Sequence, residues 1–177
     1  MRRKIAILPF IVLSLLLGSC RERTDRSEGS VILSVSDFDG LPLQVSLANV
    51  DVQIDTLTLR NTPKISTPTS PLQDIELRSY EVTYTRLDRG TRTPPSMVDG
   101  LFGIVPVNGT SDFSNLPFMR SDQLGNSPLS DLRRNGRDTE TGGVVIPLRV
   151  TMRFFGRTLA GDDIASESAS FNIDVVP

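Results

Sequence analysis

Two stretches in the second half of the chain alternate apolar and polar residues with a period of two. Ile146, Leu148, Val150, Met152 and Phe154 share one parity, with Arg149, Thr151 and Arg153 between them. Ala169, Phe171, Ile173 and Val175 repeat the pattern, with Ser170, Asn172 and Asp174 between. A helix returns to the same face every three or four residues, so strict alternation of this length specifies a half-buried strand. Gly161-Asp162-Asp163 lies between the two runs and predicts that they form an antiparallel hairpin. Their inward faces, Phe171 included, are expected to be core.

Shorter runs precede them. Val31, Leu33 and Val35 make one, ended by the turn pair Asp39-Gly40, and Leu43, Val45 and Leu47 make another. Val50, Val52 and Ile54 share a parity that Leu57 and Leu59 reverse, which predicts a bulge near Asp55-Thr56. Ile75 and Leu77 give way in the same manner to Tyr80, Val82 and Tyr84. Phe102, Ile104 and Pro106 mark a further strand. Seven or eight short strands separated by turn residues predict one all-β, antiparallel sandwich over residues 31–177. Asn61 to Pro71 reads as an extended connection crossing between sheets. Asp112 to Gly143 resists assignment, except that Pro128 to Arg134 suits one or two helical turns that Asn135-Gly136 would end.

Ser79 to Thr85 (SYEVTYT) resembles a strand of fibronectin type III and related immunoglobulin-like modules, in which alternating Tyr-x-Val-x-Tyr packs the sandwich. The resemblance covers about ten residues, and the tryptophan usual on an earlier strand is missing. It implies an architecture and no activity, since such folds host many functions.

The N-terminal residues carry an address. Arg2, Arg3 and Lys4 precede an apolar run, Ile5 to Leu17, interrupted only by Pro9 and Ser14. The run is short of the ~20 residues that span a bilayer and has the form of a secretory signal. Leu17-Gly18-Ser19-Cys20 resembles the lipobox of bacterial lipoproteins, which implies cleavage before Cys20 and acylation of that cysteine. Several acyl chains on one residue convert transient into stable attachment to a lipid bilayer. Arg21 after the cysteine implies the outer membrane, if the organism has two. Residues 1–19 are thus expected to be a signal peptide, 20–30 the lipidated Cys20 with a polar tether, and 31–177 the domain.

Composition removes several chemistries. The chain has no His and no Trp, and Cys20 is its only cysteine. A Ser-His-Asp triad, a Cys-His pair and His-based zinc sites are excluded within it, as is an internal disulfide. The formal charge of −2 falls to −5 when Arg2, Arg3 and Lys4 leave with the signal, so no nucleic-acid partner is expected.

Three sets of residues merit a functional test. Asp37-Phe38-Asp39-Gly40 invites a calcium reading, but Leu41 and Ala48 stand where an EF-hand loop needs its fifth and twelfth ligands. Turn formation explains it better, as it does Asp162-Asp163. Glu76, Glu81, Asp88 and Asp99 are candidate acid/base carboxylates without a second group placed across a cleft. Arg86, Arg89 and Arg92 lie in one loop and Arg133, Arg134 and Arg137 in another; together they could hold an acidic polymer, although Asp88, Asp131, Asp138 and Glu140 dilute both. The expectation is a non-enzymatic envelope module, one that binds a protein or glycan or is purely structural, with no catalytic residue, metal ligand or cofactor. The alternative is a carboxylate- or calcium-dependent extracytoplasmic hydrolase, or a carbohydrate-binding accessory domain.

Overall fold

The computed structural model describes residues 29–48 and 51–177. Cys20, its lipobox, residues 21–28 and Val50 lie outside the described residues. The described chain is mostly strand: β1 (Val31–Asp39), β2 (Gln44–Ser46), β3 (Val52–Pro63), β4 (Ile75–Arg86), β5 (Met97–Val105), β6 (Thr110–Met119), β7 (Ile146–Thr158), β8 (Asp163–Ala165) and β9 (Ala169–Val176). Two short helices, α1 (Ser121–Gly125) and α2 (Leu129–Asn135), sit between β6 and β7.

The strands form two sheets, one ordered β1-β3-β6 and the other β2-β9-β7-β4-β5 with β8 beside β7. One of the two sheets curls into a half-barrel. The β2–β9 pair is parallel, so the arrangement is mixed rather than wholly antiparallel. The reason is topological: β1 and β2 do not form the hairpin that Asp39-Gly40 suggests. Instead the chain crosses there from the small sheet to the large one, with Gly40 at φ 69°.

The terminal hairpin is where the alternation puts it. Ile146 pairs with Val175 and Met152 with Ala169. Ile146, Leu148, Val150, Met152 and Phe154 are all fully buried. Phe171 points inward but is only partly buried, packed edge-on against Phe38 and Phe118. Beyond this hairpin β8 continues the β9 side of the ladder. Ser166 fills the break, exchanging hydrogen bonds with the Phe154 backbone through its own N–H and its Oγ.

The parity changes have distinct causes. In β4 the ladder slips between Leu77 and Ser79 against both neighbours. On the β7 side this brings backbone so close to Gly156 that a Cβ there would lie 2.5 Å from the Glu76 carbonyl oxygen. In β3 the faces do switch across Asp55-Thr56, but the pairing with β6 keeps its register there, Ile54 opposite Leu116 and Thr56 opposite Ser114. Both strands turn over together, with Asn115 of β6 in the left-handed region at φ 56°. The Phe102–Ile104 strand exists as β5 with its faces reversed: Met97, Leu101 and Val105 are buried, while Phe102 and Ile104 are exposed. Gly103 leaves room for the Phe113 ring on the inner side.

Tyr80, Val82 and Tyr84 face inward as the alternation requires. The Tyr80 hydroxyl donates to the Pro117 carbonyl at 2.7 Å and that of Tyr84 to the Phe118 carbonyl at 2.5 Å. Both acceptors belong to β6, so the two tyrosines tie the sheets together across the core. Burial holds both phenols above their ordinary pKa, with Asp99 adding to the shift at Tyr80, so they remain donors.

Candidate functional site

The strand directions give the molecule two ends. One collects Gly29–Ser30, the crossing from Lys64 to Gln73, the β5–β6 turn and the β7–β8 turn. The other collects the β1–β2 and β4–β5 connections, α1, α2 and the loop that follows them. The second end holds the densest polar constellation, and it is built from the two arginine-bearing loops.

Arg86 is the last residue of β4 and continues the inward parity of Tyr80, Val82 and Tyr84. Its side chain is 1% exposed. Nε and Nη2 donate to the two carboxylate oxygens of Asp88 at 2.7 and 2.5 Å. Nη2 also donates at 2.8 Å to Asp138, whose side chain is fully buried. Asp138 accepts further bonds from the Thr141 N–H and hydroxyl. Gly90 passes over the guanidinium so closely that a Cβ there would lie 2.2 Å from Cζ. Around this pair, Glu140 accepts from the N–H and hydroxyl of Thr91 and from the Arg92 N–H. Arg92 reaches on to Ser127, Thr139 and Asp131.

The electrostatics follow from this geometry. Burial disfavours charge on Arg86, but its hydrogen bonds to Asp88 and Asp138 outweigh that and hold its pKa above the ordinary value. Burial also opposes charge on Asp138, and the bonds from Arg86 and Thr141 push it well below the usual carboxylate range. Asp88 is lowered chiefly by Arg86. Glu140 is lowered to about 2, first by the Thr91 hydroxyl and then by the Arg92 and Thr91 N–H groups.

The arginine loops therefore meet, but their charges are largely spent on one another. Arg86 and Arg92 are neutralised by carboxylates, and Arg133 donates to the Leu47 carbonyl at 2.6 Å. Arg89, Arg134 and Arg137 remain exposed at the rim. This is a staple between loops rather than a cationic trough. Arg86 reads in the sequence as a loop residue; the parity it shares with Tyr84 was the signal that it turns inward.

The other candidates are dispersed. Asp37 and Asp39 lie toward the far end of β1 from Gly29, whereas Asp162 and Asp163 lie beside Gly29. Nine strand residues put roughly 26 Å between those ends, so the two turns share no cation. Glu76 and Glu81 lie on the outward side of β4. Asp99 accepts from Tyr80 and pairs with Arg120, and Asp88 belongs to the staple. Among the described residues, no group of three or more His, Cys, Asp or Glu is placed to hold a metal ion. A shallow groove of 180 Å³ between β1 and β8 is bordered by Lys64, Asp163 and Glu167. The Asp163 side chain is 87% exposed, not the desolvated acid that proton transfer at neutral pH calls for. No helix among the described residues is long and apolar enough to cross a membrane.

Comparison with known proteins finds no matching family model, no similar curated protein and no similar solved structure.

Proposed function

We propose that this chain is a lipid-anchored bacterial envelope protein whose β domain serves as a non-enzymatic binding or structural module. The observation that carries the reading is the sequence Leu17-Gly18-Ser19-Cys20, followed by a charged tether and then by β1 beginning at Val31. Acylated Cys20 would attach the protein to the bilayer, in the outer membrane where there are two, and the free end of the domain would meet an envelope protein or glycan. The absence of His from the chain, the dispersal of Glu76, Glu81, Asp88 and Asp99, and the engagement of Asp88, Asp138 and Glu140 with Arg86 favour binding over hydrolysis. The fold is read as one sandwich of the immunoglobulin or fibronectin kind, supported by the two tyrosines that join the sheets.

The test is metabolic labelling with palmitate, comparing the wild type with Cys20→Ala. Label in the membrane fraction of the wild type, lost in the variant, is the expected result. An unlabelled, soluble wild type would overturn the reading.

A further inference from the structure

The end of the fold at which residue 29 lies exposes three large aliphatic side chains that nothing among the described residues covers; the opposite end exposes Leu43 and Val144, so it is the position of the tether that singles this end out. Ser30 accepts a hydrogen bond from the Lys64 N–H at 3.0 Å, which places the Lys64–Gln73 crossing beside Gly29. The Leu159 and Ala160 N–H groups donate to the carbonyls of Asp74 and Leu72, which brings the β7–β8 turn against the same crossing. On this base Ile65 is 71% exposed, Leu72 57% and Leu159 48%. Three large aliphatic side chains on neighbouring loops are costly to leave in water, at about 25 cal/mol per Å² of apolar surface.

Chain length says what lies opposite them. Nine peptide links separate Cys20 from Gly29, and a fully extended chain of that length reaches about 30 Å. A flexible one averages roughly 17 Å. An acyl anchor at Cys20 therefore holds this end within about 30 Å of the lipid surface, and nearer to it on average than the end with the arginine staple. We infer that Ile65, Leu72 and Leu159 rest in the headgroup–acyl boundary of the bilayer and fix the domain upright on it. This rests on the anchoring reading above. Interfacial residues of this kind sink about 5–10 Å. Contact of the tethered base is intramolecular, so side chains too few to bind a membrane alone can hold the orientation. The acids here, Asp162, Asp163 and Glu167, outnumber Lys64 and Arg157 by one, so the contact gains nothing from anionic lipid and rests on the aliphatic side chains.

The experiment uses the full-length acylated protein in phosphatidylcholine vesicles with and without brominated acyl chains. An environment-sensitive fluorophore is placed on Ile65→Cys or Leu159→Cys at the base, and on Leu43→Cys or Val144→Cys at the other end. Brominated lipid should quench the two base reporters and leave the other two unchanged. Leu72→Ser combined with Leu159→Ser should reduce quenching at Ile65→Cys. Quenching at neither end, equal quenching at both, or no response to the serine substitutions would overturn the inference. So would a spectral shift that follows protein concentration instead of lipid, which would mean that a second copy covers the base. Palmitate labelling of the same samples separates the failures. Labelled protein with an unquenched base refutes this inference alone, whereas unlabelled soluble protein refutes the anchoring reading and this inference with it.

Discussion

At the end that carries α1 and α2, Arg86 is buried between Asp88 and Asp138, and Glu140 and Arg92 fasten the surrounding loops. At the other end the loops are joined mainly by backbone hydrogen bonds, and Ile65, Leu72 and Leu159 point into solvent. The first end places charge where water is excluded and depends on every partner being present. The second exposes Ile65, Leu72 and Leu159, as the first exposes Leu43 and Val144, but depends on little within the domain. Fold stability should therefore be sensitive to change at the staple and indifferent to it at the base.

The largest effect should come from Arg86→Ala, which strands the buried Asp138 carboxylate. Removing one partner of a buried pair costs about 3–5 kcal/mol, a large part of a typical domain's stability. Urea melts read this directly, and a loss below about 1 kcal/mol would mean that water reaches Asp138. Tyr84→Phe should come next. It leaves the Phe118 carbonyl without its donor, for about 1–3 kcal/mol, with little change in packing.

Acid should act mainly on the staple end. The carboxyl pKa values of Asp88, Asp138 and Glu140 are lower in the folded protein than in the unfolded chain. Each contribution is complete above the group's ordinary carboxylate value; that of Glu140 is lost as pH falls from 4.5 toward about 2, and that of Asp138 only at lower pH still. Thermal melts across that window should show destabilisation in the wild type and a flatter profile in Glu140→Gln. Equal slopes would show that Glu140 is not held in this network. The smallest effect is expected from Leu72→Ser with Leu159→Ser, within about 0.5 kcal/mol in solution. A cost above about 2 kcal/mol would show that the base packs against something inside the domain, and the contrast between the ends would collapse.

Sequence reading succeeded where one face of a strand is uniformly apolar. β7 and β9 could be read because Ile146 to Phe154 and Ala169 to Val175 never break parity. β6 could not, because Asn115 turns the strand over midway, so that Phe113 and the pair Leu116 and Phe118 lie on opposite parities yet all pack inward. β5 was located but read with its faces reversed, since Phe102 and Ile104 look like core and the real inner positions include Gly103. The α2 helix was legible through Pro128 and Gly136, the latter in the left-handed region at the helix end. The staple was the hardest part. Its members fall into two short segments, Arg86–Asp88 and Asp138–Glu140, 52 residues apart from Arg86 to Asp138, and only the fold of the intervening strands shows that they meet around one buried guanidinium.

The tyrosine ties described above also bear on how this protein behaves in a crowd. Strand β6 is an outer strand of its sheet, and outer strands invite pairing with those of neighbouring molecules. Pro117 has no N–H to offer, and its carbonyl is already taken by Tyr80; the next carbonyl is taken by Tyr84. A foreign strand approaching here would find fewer groups to bond, and the Asn115 reversal would put it out of step. The hydroxyls that hold the two sheets together thus also guard against edge-to-edge aggregation, a hazard that grows wherever copies are concentrated on a surface.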